Sequence, residues 1–278
     1  MDVVSKIVLF ASVQTVFWVV GFPFTRLMLR NHIHERCLLA PIVGAAVVGF
    51  TTTILYGIGC QPKYSTAMLA VAGTIFSIII LTRKHYAALV GRRLSIATFV
   101  GLLCILPGLV GGQQFAVFQG NIDDQFNYLA QVVAFNHHSY GDLSEIPLNS
   151  GSNLGHVLLG QTHLHLRPAV SIVYAGFANV LMPTPFGSYS YLAALQLNSF
   201  FASVFLMSNL RLHSSTRILI ASVALCIGFF MQYVFDINAW SQLAAIPPRL
   251  RALNLMTAVC QNFGCRGEQL RLESFLLG

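Results

Sequence analysis

Charge is the scarcest commodity in this chain. Of 278 residues, 9% are Asp, Glu, Lys or Arg, where a soluble domain carries about 25%. That shortage excludes an ordinary water-facing surface over most of the sequence. The charge that is present is unbalanced, 16 basic residues against 9 acidic, yet it does not indicate nucleic acid. The basic residues sit in short stretches between apolar runs, and no basic–aromatic surface is left over. The 6 cysteines show neither a CxxC nor a zinc spacing. Cys104 and Cys226 fall inside apolar runs, where a thiol acts as a small buried group. Cys260 and Cys265 are near enough in sequence to pair, so the redox compartment stays open. No Asn-x-Ser/Thr acceptor occurs, and there is neither an internal repeat nor a low-complexity segment.

What fills the chain instead is apolar sequence, 55% of it, with a mean hydropathy of +0.69. The runs recur at lengths that suit membrane crossing: about 20 residues cover ~30 Å of hydrocarbon at 1.5 Å per residue. Residues 7–20, extendable to 24, form the first run. Lys6 ahead of it resembles the start of a signal peptide, but no small-residue cleavage pattern follows. Gly21-Phe22-Pro23 and then Arg26, Arg30 and Arg36 look like the cytoplasmic end of a span. Further runs cover 38–59, 66–81 and 94–110, the last closed by Pro107, Gly108, Gly111 and Gly112. Thr51, Thr52 and Thr53 inside the second run can bond back onto their own helix or to a neighbour. Two more spans are expected at 191–206 and 217–235.

Between these groups lies the longest polar interval, residues 111–167. It holds Asp123, Asp124, Asp142 and Glu145, together with His137, His138, His156, His163 and His165. Phe126, Leu129 and Val133 recur at near-helical spacing, predicting a helix over 122–135. Residues 168–181 are apolar but short, and Pro183 and Pro185 follow them. Arg26, Arg30, Arg36, Arg83, Lys84, Arg92 and Arg93 mark cytoplasmic loops by their positive bias, which places the acidic interval outside. If 168–181 enters the membrane without crossing it, Arg211 and Arg217 also fall inside. Only Lys6, Lys63 and Arg167 then remain on the external side before Asp236. The expectation is an all-α polytopic bundle of about six to seven spans, its N-terminus outside, with a large external loop carrying interfacial helices. The four parts are 1–112 with four transmembrane helices, 113–189 as the acidic loop with a partly embedded helix, 190–236 with two further spans, and 237–278 as a tail. Localisation follows: an integral, multi-pass protein of the cell (inner) membrane, with the acidic loop on the non-cytoplasmic side.

Asp123-Asp124 is the most chemically informative pair. Carboxylates near a helix start are favoured by the dipole alone. An ionised group close to a span is nonetheless costly, ~2.5–3.5 kcal/mol on insertion scales, so it calls for a function. Two adjacent acids raise the pKa of one of them, which suits a general base, and the second could orient a hydroxyl or a divalent cation. Arg167 could anchor a helix by snorkelling, but its planar fork also suits a phosphate, and Pro168 fits the first turn of a helix. His163 and His165 share one face of an extended stretch without a third ligand at a recognised spacing, so no metal site is assigned. Asp236, at the outer end of the last span, either ends that helix or joins the external site as a further acid.

The order of these residues resembles a family. Asp123-Asp124-Gln125-Phe126-Asn127-Tyr128-Leu129-Ala130 lies in an external loop, and Leu166-Arg167-Pro168 opens an apolar, proline-terminated segment. A span with Asn198-Ser199 at its outer part follows, and then the external Asp236. This order is similar to the N-terminal part of the glycosyltransferase C superfamily of integral membrane enzymes, over about residues 120–240. The resemblance implies an external catalytic Asp, here Asp123 or Asp124, and a donor phosphate held by Arg167 with His165. It also implies a polyprenyl-phosphate-linked sugar as donor and a glycan, lipid or protein as acceptor; no cofactor is assigned, and the acid pair leaves room for a divalent cation. Two features depart from the family. Three extra spans precede the acidic loop, and the family's enzymes are longer, so the expectation is a module or fragment of such an enzyme. The rival expectation is a non-enzymatic membrane protein: a lipid-carrier flippase, a transporter or an assembly subunit. Those usually place polar and ionisable groups inside their spans, where this chain has little beyond Gln14, Gln196 and Asn198.

Overall fold

A computed structural model describes residues 3–28, 33–82, 124–139 and 168–178. All five elements among them are helices: α1 (Val3–Met28), α2 (Ile33–Gly57), α3 (Pro62–Thr82), α4 (Asp124–His137) and α5 (Pro168–Ala178). Three contain stretches long and apolar enough to cross a membrane, Ile7–Leu27, Leu39–Gly57 and Pro62–Thr82. Their outward side chains agree with that reading. Val8, Phe50, Met68, Ile75 and Ile78 are exposed, an apolar exterior that water would not tolerate over such an area. We therefore treat the protein as an integral membrane protein. The spans expected at 94–110, 191–206 and 217–235, and the tail, lie outside the described residues.

α1 is the pivot of the bundle. Against α2 the two backbones touch: a Cβ at Gly21 would collide with the Ala40 carbonyl, and one at Gly44 with the Phe17 carbonyl. Small residues at a crossing are how membrane helices gain contact where no hydrophobic effect separates them from lipid. On the α3 side, Gly73 lies against the backbone of Val19 and Val20 in the same manner. Trp18 stacks on Phe22 with ring centroids 4.7 Å apart, and both pack with Cys37, Ala40 and Ile80 to form a core joining all three helices. Half of the α1 and α2 spans is buried against 28% of α3, so α3 is the outermost of the three.

Pro23 lies inside α1, not at its end. Proline lacks the N–H that would bond the carbonyl four residues back, here Val19. Ser77 on α3 donates its hydroxyl to that carbonyl at 2.9 Å, and the helix continues to Met28. The span end expected around Gly21-Phe22-Pro23 lies a few residues later, at Leu27. Arg26 and Arg36, expected in a loop, are likewise residues of α1 and α2. Two threonine hydroxyls of α2 return to their own backbone, Thr52 to the Val48 carbonyl and Thr53 to the Gly49 carbonyl at 2.6 Å. This is the usual way such groups are satisfied in an apolar helix.

The turn between α2 and α3 is built by Gly59. Its φ of 94° is left-handed, its N–H bonds the Tyr56 carbonyl at 2.9 Å, and the Cys60 N–H bonds the Leu55 carbonyl at 2.9 Å. These two bonds make a Schellman cap. Pro62 then opens α3 at the position where its missing donor costs nothing.

Candidate functional site

The turn at Gly59 defines one end of the bundle, and the two short helices gather there. α4 arrives through its last turn. Tyr56 on α2 donates its hydroxyl to the His138 carbonyl at 2.9 Å, and the Tyr56 ring meets Phe135 edge-on at 5.1 Å. α5 inserts beside it. Phe177 meets Phe17 of α1 edge-on at 5.5 Å, Val173 lies over Gly49 of α2, and Gly176 sits on Thr66 and the Pro62 carbonyl of α3 so closely that a Cβ would collide.

α5 is 11 residues long, about 16 Å of rise against ~30 Å of hydrocarbon. Every residue from Ser171 to Ala178 is buried, so this helix is surrounded by protein, unlike the spans. Its partner is α4: Ser171 donates its hydroxyl to the Gln131 side-chain oxygen. Both residues are buried, Ser171 at 0% and Gln131 at 3% exposure. A hydrogen bond between two buried polar groups costs about 1–3 kcal/mol to break from one side, so this bond fixes the register of α4 on α5.

The residues singled out by sequence distribute unevenly. Asp124 is the first residue of α4, seven positions, or about 10 Å of helix rise, before Gln131. Pro168 is the first residue of α5, three positions, or about 5 Å, before Ser171. Asp123, His165, Arg167 and Asp236 lie outside the described residues, as do His156 and His163. His137 and His138 are exposed at the end of α4, and no cluster of metal-ligating side chains forms among the described residues. The expected helix over 122–135 is observed as Asp124–His137. Among its described side chains, from Gln131 onward, Gln131, Val132, Ala134 and Phe135 are buried, whereas Val133 is only half-buried.

Sequence reasoning missed Tyr56, Gln131 and Ser171. Each is a polar group inside an otherwise apolar helical segment, which is the signal that could have revealed them. Gln14 was noted. Its amide is buried with neither polar atom bonded among the described residues, as are the Trp18 indole N–H and the Thr66 hydroxyl. No family model matches this sequence, and no curated protein or solved structure matches the chain.

Proposed function

We propose that this chain is a membrane glycosyltransferase, or a module of one, that transfers a sugar from a polyprenyl-phosphate-linked donor to an acceptor hydroxyl on the non-cytoplasmic face. The observation that supports it is the docking of α4 on α5 through Gln131 and Ser171. α4 opens at the second acid of the Asp123-Asp124 pair, and α5 opens at the residue after Arg167. Helices that start at an acid pair and beside an arginine are thus held to each other at one end of the bundle.

In this reading one carboxylate of Asp123-Asp124 takes the proton of the acceptor hydroxyl. The acceptor oxygen bonds to the anomeric carbon while the bond from that carbon to the phosphate oxygen breaks. The departing polyprenyl phosphate keeps the electron pair and is held by Arg167, with His165 assisting, as a bidentate guanidinium–phosphate contact. Arg26 and Arg36 at the opposite end of the bundle mark the cytoplasmic side by the positive-inside rule. A lipid-linked donor suits the far side, where soluble nucleotide sugars are scarce.

The test is Asp123→Asn combined with Asp124→Asn in membranes supplied with a labelled polyprenyl-phosphate sugar. Label transfer should fall by about 10²-fold or more, as for loss of a general base, while the amount of inserted protein is unchanged. Full transfer by the double variant would remove the catalytic role of the pair.

A further inference from the structure

The opposite end of the bundle carries a feature that the glycosyl-transfer reading does not use. Between the last turns of α1, the start of α2 and the outer half of α3 lies a cavity of about 870 Å³, within the ~300–1,000 Å³ range of ligand sites. Phe24, Leu27, Leu69 and Phe76 line it, and two guanidinium side chains, Arg26 and Arg36, lie at one end of it. Phe24, Leu27 and Phe76 are exposed on its rim, so the cavity opens sideways to the same apolar exterior that the spans face.

We propose that this groove seats one anionic glycerophospholipid, its phosphate on Arg26 and Arg36 and one acyl chain between α1 and α3. Three observations fix the occupant. The groove extends along α3 from Leu69 to Ile80, about 16 Å of helix rise. That is about half of the ~30 Å hydrocarbon thickness, the depth one leaflet supplies to one chain. Among the described residues the charge lies only at the end nearest the helix termini, where a head group belongs and the bilayer centre does not. Arg36 is 5% exposed and lines the groove together with Arg26, so the two guanidiniums at that end match an anionic head group better than a neutral one. A soluble anion would gain the arginines but leave the apolar walls empty, and a second apolar helix would fill the walls but bring nothing to the charge.

The test uses the full chain purified in detergent, with phosphatidylglycerol spin-labelled on its acyl chain as the probe. Unlabelled phosphatidylglycerol should displace the probe at concentrations at least about tenfold below those needed for phosphatidylcholine. Arg26→Gln should reduce that preference severalfold, and Arg26→Gln with Arg36→Gln should bring the two lipids to parity. Ala72→Trp, which fills the groove and leaves both arginines in place, should abolish the immobilised probe signal. Ile78→Trp, on the exposed face outside the groove, should leave it unchanged. Arg26→Lys should retain most of the preference, and the single Arg26 variants decide the matter if the double variant does not fold. Equal displacement by the two lipids in the wild type would overturn the proposal, as would a preference that survives Arg26→Gln or a probe signal that survives Ala72→Trp. Displacement by millimolar glycerol phosphate, which carries the phosphate without chains, would show an anion site and overturn the lipid assignment.

Discussion

The two ends of this bundle solve the same problem in opposite ways. At the Gly59 end, space between the three long helices is filled by protein: α5 is buried throughout its described side chains from Ser171 onward, and α4 is tied to it and to Tyr56 by side-chain hydrogen bonds. At the Arg26 end the corresponding space is an apolar groove with charge at one extremity. One end is specified by directional bonds between buried polar groups and the other by apolar walls with two arginines at one extremity. Directional bonds set a register and hold it, whereas apolar walls accept any chain of suitable length. The filled end is therefore suited to a fixed arrangement of side chains, and the open end to an exchangeable occupant.

The comparison can be broken outright at the contact both ends share. Gly44→Leu would drive a side chain into the Phe17 backbone and separate α1 from α2. A loss of about 3 kcal/mol is expected, read as a lower midpoint in denaturant titration of the detergent-solubilised protein, with the filled and open ends destabilised together. Stability unchanged within about 0.5 kcal/mol would mean the two helices do not meet at Gly44.

A narrower cut affects the filled end alone. Ser171→Ala leaves the Gln131 oxygen buried without its donor and should cost about 2 kcal/mol. Adding Gln131→Met should recover most of that loss, because both polar groups are then gone. Hydrogen exchange should rise in α4 and α5 of the single variant and stay at its wild-type level around Arg26. Equal exchange at both ends would show that the ends are not independent. The smallest effect belongs to Ser77→Ala, about 0.6 kcal/mol by the usual size of interhelical bonds in membranes. In a Pro23→Ala background residue 23 regains its N–H, so the cost of Ser77→Ala should shrink towards zero. A cost that persists there would exclude the carbonyl of Val19 as the group Ser77 serves.

The existence of the long helices was legible because an apolar run of about 20 residues has few other uses. So was the end of α2, since Gly59 adopts the left-handed conformation that a non-glycine residue would resist. The boundary at Pro23 was misread for a physical reason. Its local signal says stop, and the hydroxyl that lets the helix continue lies 58 residues away in sequence. The helix opening at Asp124 was anticipated to within two residues, yet the burial of the polar Gln131 was not. Gln131 is buried only because Ser171 meets it, and no periodicity in either segment encodes that pairing. Arg36 was expected in a loop, since nothing local distinguishes a loop arginine from one sunk among three helices.

Val19 and Ser77 also impose an order of birth. A ribosome releases the proline-interrupted first helix well before the serine that completes it exists. Until α3 emerges, that helix enters the bilayer with one carbonyl bare, and lipid offers nothing to cover it. The first helix therefore carries that carbonyl uncovered until the third arrives to cap it.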